Sequence, residues 1–210
     1  MKIAYIFLNG ELKGSVTFYK DLLNAQKGDI FCADGGAKHL DILGIMPMEL
    51  WGDLDSVSQE TIDRYEQNNV IIKRFPAEKD KTDGELIVDH VSHLDYDKIY
   101  IIGGLGGRTD HMLSNLLWIF MYDNIFFISE REIIFKAGPN MKIEGFKDRT
   151  VSFVPYSERI KSLTLIGFKY PLDKYDLIRG DSRCMSNIII QDICSISFLH
   201  GELMCIIDQK

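Results

Sequence analysis

The stretch Lys98-Ile99-Tyr100-Ile101-Ile102-Gly103-Gly104-Leu105-Gly106-Gly107-Arg108-Thr109-Asp110-His111 passes from a β-branched, aromatic run through a glycine turn into a helical pattern. The turn is followed by Leu113, Leu116, Leu117, Phe120 and Met121 at helical spacing, which predicts a helix with a core-facing apolar stripe. The same strand–turn–helix rhythm recurs on either side, with strand candidates at residues 2–8, 29–33, 48–52, 70–75 and 125–129. Repeated units of this kind predict an α/β domain over residues 1–130. Its sheet is mainly parallel, and the loops after the strands share one edge, where ligands bind in such folds.

From about Arg131 the rhythm changes to short strand-like runs at residues 133–137, 141–144, 150–154, 162–166, 176–178, 187–190, 195–199 and 203–207. Gly138-Pro139, Gly145, Gly167, Gly180-Asp181 and His200-Gly201 punctuate them. This predicts an all-β antiparallel sandwich over residues 131–210. No Ser/Gly-rich linker, internal repeat or low-complexity tract marks the junction.

The composition narrows the function. With 210 residues, 46% hydrophobic, the chain reads as globular and soluble. Its 24 Lys+Arg against 31 Asp+Glu, a formal charge of −7, argue against nucleic acid as a partner, because phosphate-backbone binding needs a basic face. The longest apolar stretches, residues 3–8 and 113–122, fall short of the ~20 residues a bilayer span needs. Met1-Lys2 leads straight into a strand pattern rather than a signal peptide, so the expected location is cytoplasmic. Cys32, Cys184, Cys194 and Cys205 form no C-x-x-C pair and read as buried, reduced thiols.

Acidic residues gather at the predicted strand ends. Asp34 follows the second strand, Asp53 and Asp55 the third, Asp80 and Asp83 the fourth, and Arg108 and Asp110 the fifth. Carboxylates collected on one edge repel one another unless a cation sits among them. Extended backbone past Gly52 would point Asp53 and Asp55 to one side, toward one ion. All-oxygen ligands shared with substrate phosphates select Mg²⁺ over Zn²⁺. Each acid also has an ordinary reading as a helix cap or turn residue, which is preferred for Asp34 taken alone.

Thr82-x-x-Glu85 is a capping box, opening a helix that buries Leu86, Ile87, Val91 and Leu94. Capping leaves Asp80 and Asp83 unexplained; beside Lys79 and Lys81 they suit a metal-and-phosphate site. The run Gly103–Gly107 is neither a P-loop nor the dinucleotide fingerprint, but glycines allow close approach to a phosphate and Arg108 adds a charged fork. A flexible turn with a surface arginine is the equally weighted alternative. His90 and His93 lack metal-site spacing, and His39 and His200 carry no signal.

Taken in order, Asn9-Gly10-Glu11, Ala33-Asp34-Gly35-Gly36, Gly52-Asp53-Leu54-Asp55-Ser56, Lys79-Asp80-Lys81-Thr82-Asp83-x-Glu85 and Gly103-Gly104-x-Gly106-Gly107-Arg108-x-Asp110-His111 with Asn115 resemble the thiamine pyrophosphokinase family in its bacterial form. Each motif is weak, but five in the family's order are specific. The resemblance implies pyrophosphoryl transfer from ATP to thiamine with Mg²⁺, in a homodimer whose first domain binds ATP and metal and whose sandwich domain helps form the thiamine pocket. It implies catalytic roles for Asp53, Asp55, Asp80, Asp83 and Arg108, and metal ligation by Asp53, Asp55 and Asp80. Nucleotide contacts fall to Asp34, Gly35, Lys79, Gly104, Gly107, Arg108 and Asp110, and thiamine contacts to Ser186 and Asn187. Where animal members place an aromatic after the Ser-Asn pair, this chain has Ile188, Ile189 and Ile190. A different hydroxymethyl acceptor, such as a pterin, and a non-catalytic sensor are the alternatives.

Overall fold

A computed structural model describes residues 1–209, which divide into a compact unit Met1–Glu130 and a second that begins at Arg131. In the first unit, β1 (Ile3–Phe7), α1 (Val16–Ala25), β2 (Asp29–Ala33), α2 (Ala37–Leu43), β3 (Glu49–Gly52), α3 (Gln59–Gln67) and β4 (Ile71–Arg74) alternate. They are followed by α4 (Asp83–Ser92), β5 (Lys98–Ile102), α5 (Thr109–Leu116), α6 (Trp118–Met121) and β6 (Ile125–Ile128). The strands run in the order β6-β5-β1-β2-β3-β4, every neighbouring pair parallel. Strand β1 lies at the centre, all five residues buried, as expected for a strand covered on both faces. The chain runs outward from β1 to β4 and then returns to place β5 on the other side of β1. That reversal makes the carboxyl ends of β1 and its neighbours the expected crevice for a ligand.

Local chemistry accounts for the helix starts. Ser15, Ser58 and Thr82 each accept a backbone N–H three residues on, at 3.1, 3.2 and 3.1 Å, and so cap α1, α3 and α4. Thr82 does what the capping box predicts, whereas the Glu85 carboxylate lies 3.6 Å from Lys81 Nζ instead. Helix α4 buries Ile87, Val88 and Val91; of the other expected residues, Leu86 is half-buried and Leu94 lies past the helix end, exposed. The apolar stripe expected of the segment after the glycine turn is corrected. Leu113, Leu117 and Met121 are exposed, and Trp118 and Ile119 are buried in their place. Helix α5 ends at Leu116 and a short α6 restarts at Trp118, so Trp118 turns inward to stack on Phe127 of β6, their centroids 6.4 Å apart.

The second unit holds β7 (Glu132–Ala137), β8 (Asn140–Glu144), β9 (Thr150–Pro155), β10 (Arg159–Ile166), β11 (Leu172–Ile178), β12 (Asn187–Ile188), β13 (Ile193–Ser197) and β14 (Leu203–Asp208). They form two antiparallel sheets, β12-β9-β14-β7 and β11-β10-β13-β8. Strands β9 and β14 alternate buried and half-buried residues, the period-two pattern of a sandwich. Phe153 on β9 meets Phe168 edge-on at 5.5 Å in its core. All four cysteines are buried and free.

Behind the acid-bearing end of β3, Glu49 is buried and ties two strands to a helix. Its carboxylate accepts from Trp51 Nε1 at 2.7 Å and lies 3.1 Å from Lys73 Nζ on β4, while His90 of α4 stacks on Trp51 at 4.7 Å. Burial raises the Glu49 carboxyl, but the Trp51 donor, Lys73 and His90 outweigh it and leave the group below its ordinary value. A carboxyl lowered on folding stabilises above its unfolded value, and the contribution is lost as pH falls through the folded one. Glu49→Gln is therefore expected to cost about 1–3 kcal/mol in urea unfolding at neutral pH. That difference from the wild type should shrink as the buffer is taken below about pH 4.

Candidate active site

The loops after β1, β2, β3, β4 and β5 surround a cleft of about 570 Å³ in the first unit. Its floor is tied together by main chain: Leu8 N donates to Ile102 O and Gly10 N to Gly103 O, both at 2.8 Å. Asn9, Gly10, Gly103, Gly104 and Gly106 line it from below. Asp34, Asp53 and the segment 79–84 complete the lining together with Arg108, His111, Met112 and Asn115. The last four fall at i, i+3, i+4 and i+7, one face of the α5 segment. His111 and Asn115 belonged to the sequence motif without a role. Their helical spacing from Arg108 was the signal that places them here.

Asp34, Asp53 and Asp55 each offer an oxygen within 4.8 Å of the others. They meet differently from the sequence expectation. Extended backbone stops at Gly52; Leu54 turns to φ 66° and is buried, and the Asp55 N–H donates to Asp53 Oδ1 at 3.3 Å, so a tight turn brings the two acids together. Asp34, the acid best read as a cap from sequence, completes the group from a single 3₁₀ turn, Asp34–Gly36. It approaches β3 because position 52 is glycine: a Cβ there would lie 2.8 Å from that of Asp34. Asp80 lines the cleft but lies outside this trio.

Asp34 Oδ1 is buried without a hydrogen-bond partner among the described residues. An orphaned carboxylate oxygen beside two more acids is the donor set of a hard divalent cation, and Mg²⁺ fits it. Asp83, at the start of α4, lies 3.2 Å from Lys79 Nζ, which also donates to Pro76 O at 2.8 Å. Burial raises the Asp83 carboxyl, Lys79 pulls it down, and Asp53 and Asp34 push it up; the net shift is upward. At the rim, exposed Arg108 holds Asp110 through Nε at 3.2 Å and a terminal nitrogen at 2.7 Å, which brings that carboxyl down to about 2.

The remaining predicted residues are more dispersed. Gly35 lies under Asn9, where a Cβ would come within 2.5 Å of the Asn9 side chain. Gly104 lines the cleft, while Gly107 is exposed beyond it. Ser186 and Asn187 are in the second unit. Ser186 is exposed, but Asn187 is buried, its carboxamide accepting from Tyr170 N at 2.9 Å and donating to Tyr170 O at 2.8 Å. His39, which carried no signal in sequence, is buried beneath the cleft floor.

Comparison with known proteins points to one family. The profile described as "Thiamin pyrophosphokinase, catalytic domain" matches residues 19–128, and "Thiamin pyrophosphokinase, vitamin B1 binding domain" matches residues 139–203. Thiamine pyrophosphokinase of Bacillus subtilis is 36% identical over 179 residues, spanning 82% of this chain and 84% of its own. The crystal structure of the Bacillus subtilis protein superposes with a TM-score of 0.86 at 32% identity, covering 100% of both chains. That of thiamin pyrophosphokinase from Geobacillus thermodenitrificans gives 0.85 at 30% identity, over 99% of this chain and 98% of its own. A parallel sheet that carries an acidic trio just past the carboxyl ends of β2 and β3, an antiparallel sandwich after it, and these matches along both units place the chain in the thiamin pyrophosphokinase family.

Proposed function

We propose that the protein transfers a pyrophosphoryl group from ATP to thiamine, yielding thiamine diphosphate and AMP. The observation that carries this reading is the trio Asp34, Asp53 and Asp55, gathered within 4.8 Å at the cleft of a chain of this family. The thiamine hydroxyl oxygen bonds to the β-phosphorus while the bond from that phosphorus to the α–β bridging oxygen breaks. AMP leaves with the electron pair, and the hydroxyl proton passes to a carboxylate of the rim.

Asp34, Asp53 and Asp55 would hold Mg²⁺, which when bound neutralises charge on the phosphate oxygens. Lys79 supplies a further positive charge in the cleft lining, and the glycine backbone at 103–106 brings main chain close to the phosphates. Arg108 exchanges Asp110 for a phosphoryl group, one bidentate anion for another, so Asp110 keeps the guanidinium oriented before nucleotide arrives. Attack at phosphorus needs position and electrostatics rather than a covalent enzyme intermediate, and the cleft offers both.

The vitamin B1 binding profile over the second unit favours thiamine over a pterin-like acceptor, and the acidic trio favours catalysis over a sensor. On the thiamine side Ser186 is the exposed contact, held at φ 54° with its N–H on Ser152 Oγ at 3.0 Å. Asn187 acts indirectly, by fixing Tyr170. Tyr170 is 55% exposed and its main chain is pinned at both polar groups, so it supplies the aromatic surface that Ile188–Ile190 lack. A homodimer and a cytoplasmic location belong to the same reading; the four buried free thiols suit a reducing compartment.

Incubation with ATP, Mg²⁺ and thiamine should produce AMP and thiamine diphosphate in equal amounts, and chelation should stop it. Asp53→Asn should lower kcat by about 10²-fold or more. Equal AMP formation by this variant, or ADP as the nucleotide product, would overturn the reading. Tyr170→Ala should raise KM for thiamine about tenfold, with KM for ATP unchanged, in steady-state assays that vary each substrate.

A further inference from the structure

We propose that His39 is a positioning residue for the nucleotide: it pins the loop after β1 beneath the glycine loop and so sets the floor on which the phosphates rest. His39 lies on α2 and is 4% exposed. Its Nε2 is 2.8 Å from Gly10 O. A carbonyl only accepts, so Nε2 carries the proton and donates. The other ring nitrogen, Nδ1, is buried with no hydrogen-bond partner among the described residues.

Burial lowers the His39 pKa, the Gly10 carbonyl opposes that shift, and the Lys38 charge adds to it, so the ring is neutral near pH 7. A leucine or phenylalanine would fill the space without leaving a nitrogen unsatisfied. The donor aimed at Gly10 is what the imidazole supplies and a hydrocarbon does not.

The hydrogen bond acts on more than one loop. With its carbonyl held by His39, Gly10 presents its N–H to Gly103 O at 2.8 Å. Gly103 lies at φ 72°, where a Cβ would meet Leu8 O at 2.4 Å and His39 Cδ2 at 3.4 Å, so the imidazole edge, the β1 loop and the glycine turn are packed on one another. Next to His39, Lys38 Nζ donates to Asn9 Oδ1 at 2.6 Å. Helix α2 starts directly after the turn that carries Asp34. Two consecutive side chains therefore tie the metal-side turn to the phosphate-side loops: Lys38 Nζ also donates to Asn9 O at 3.3 Å, and His39 holds the next carbonyl, that of Gly10.

The kinetic arm of the test rests on the pyrophosphokinase reading; the exchange arm does not. In the full-length protein, His39→Gln keeps an N–H donor near the Nε2 position, and His39→Phe keeps a ring without one. His39→Phe is expected to raise KM for ATP about tenfold, the scale of one lost hydrogen bond, with kcat and KM for thiamine within about twofold. His39→Gln should stay within about threefold of the wild type on all three. Amide hydrogen exchange should quicken at residues 8–11 and 102–107 in the Phe variant and be restored in the Gln variant.

The proposal is overturned if Phe leaves KM for ATP and exchange unchanged, if Gln is as impaired as Phe, or if the loss spreads over kcat and both KM values in step with a fall in Tm. If His39→Phe does not fold, His39→Asn, whose donor falls short of Gly10, is read by the same criteria. Should the wild type form no AMP, the functional reading fails and the exchange pattern alone decides the role of His39.

Discussion

Three carboxylates held within 4.8 Å repel one another, and the first unit is organised around keeping them there. At an effective dielectric near 20, two unit charges at that separation repel by roughly 3 kcal/mol, more than a single hydrogen bond returns. The sheet supplies the constraint. Strands β2 and β3 are parallel neighbours with Ala33 opposite Trp51, so the residues that follow each strand emerge side by side. Gly52 removes the Cβ that would separate them, and the buried Leu54 closes the turn that brings Asp55 back to Asp53. What remains unsatisfied, including the orphaned Asp34 oxygen, is the attraction this site offers a cation.

Cations along the cleft lining and rim offset that acidity. Lys79 lies between Asp83 and a backbone carbonyl, and Arg108 is paired with Asp110 in solvent. Both cations have an internal anion that a phosphate can displace. The glycine loop between them is anchored by main-chain hydrogen bonds to the β1 loop rather than by its own side chains. Rigid acids, exchangeable cations and a main-chain floor together make a site for a charged, multiply bonded nucleotide.

Much of this was legible in the chain because the signals are local. Strand–turn–helix alternation, the Thr82 cap, and the strand runs and turns of the second unit depend on nearest neighbours and local composition, and the structure follows them closely. The acids at the strand ends were legible for the same reason. The misreadings share a different cause. The stripe Leu113, Leu117 and Met121 has the right period for burial, yet a break at Leu117 gives the buried face to Trp118 and Ile119. Asp34 resembled a cap, and His39 resembled nothing, because their partners lie in other loops.

The two-part α/β and all-β architecture, the helix start at Thr82 and the acids at the strand ends follow from the chain alone, since propensity, capping and patterning act over a few residues. Only the tertiary structure decided the strand order that returns β5 beside β1, and with it which acids meet. Asp34 rather than Asp80 joins Asp53 and Asp55, and a buried histidine from α2 supports the loop after β1. Those outcomes depend on which strands become neighbours, and pairing between distant segments is set by how the whole sheet packs.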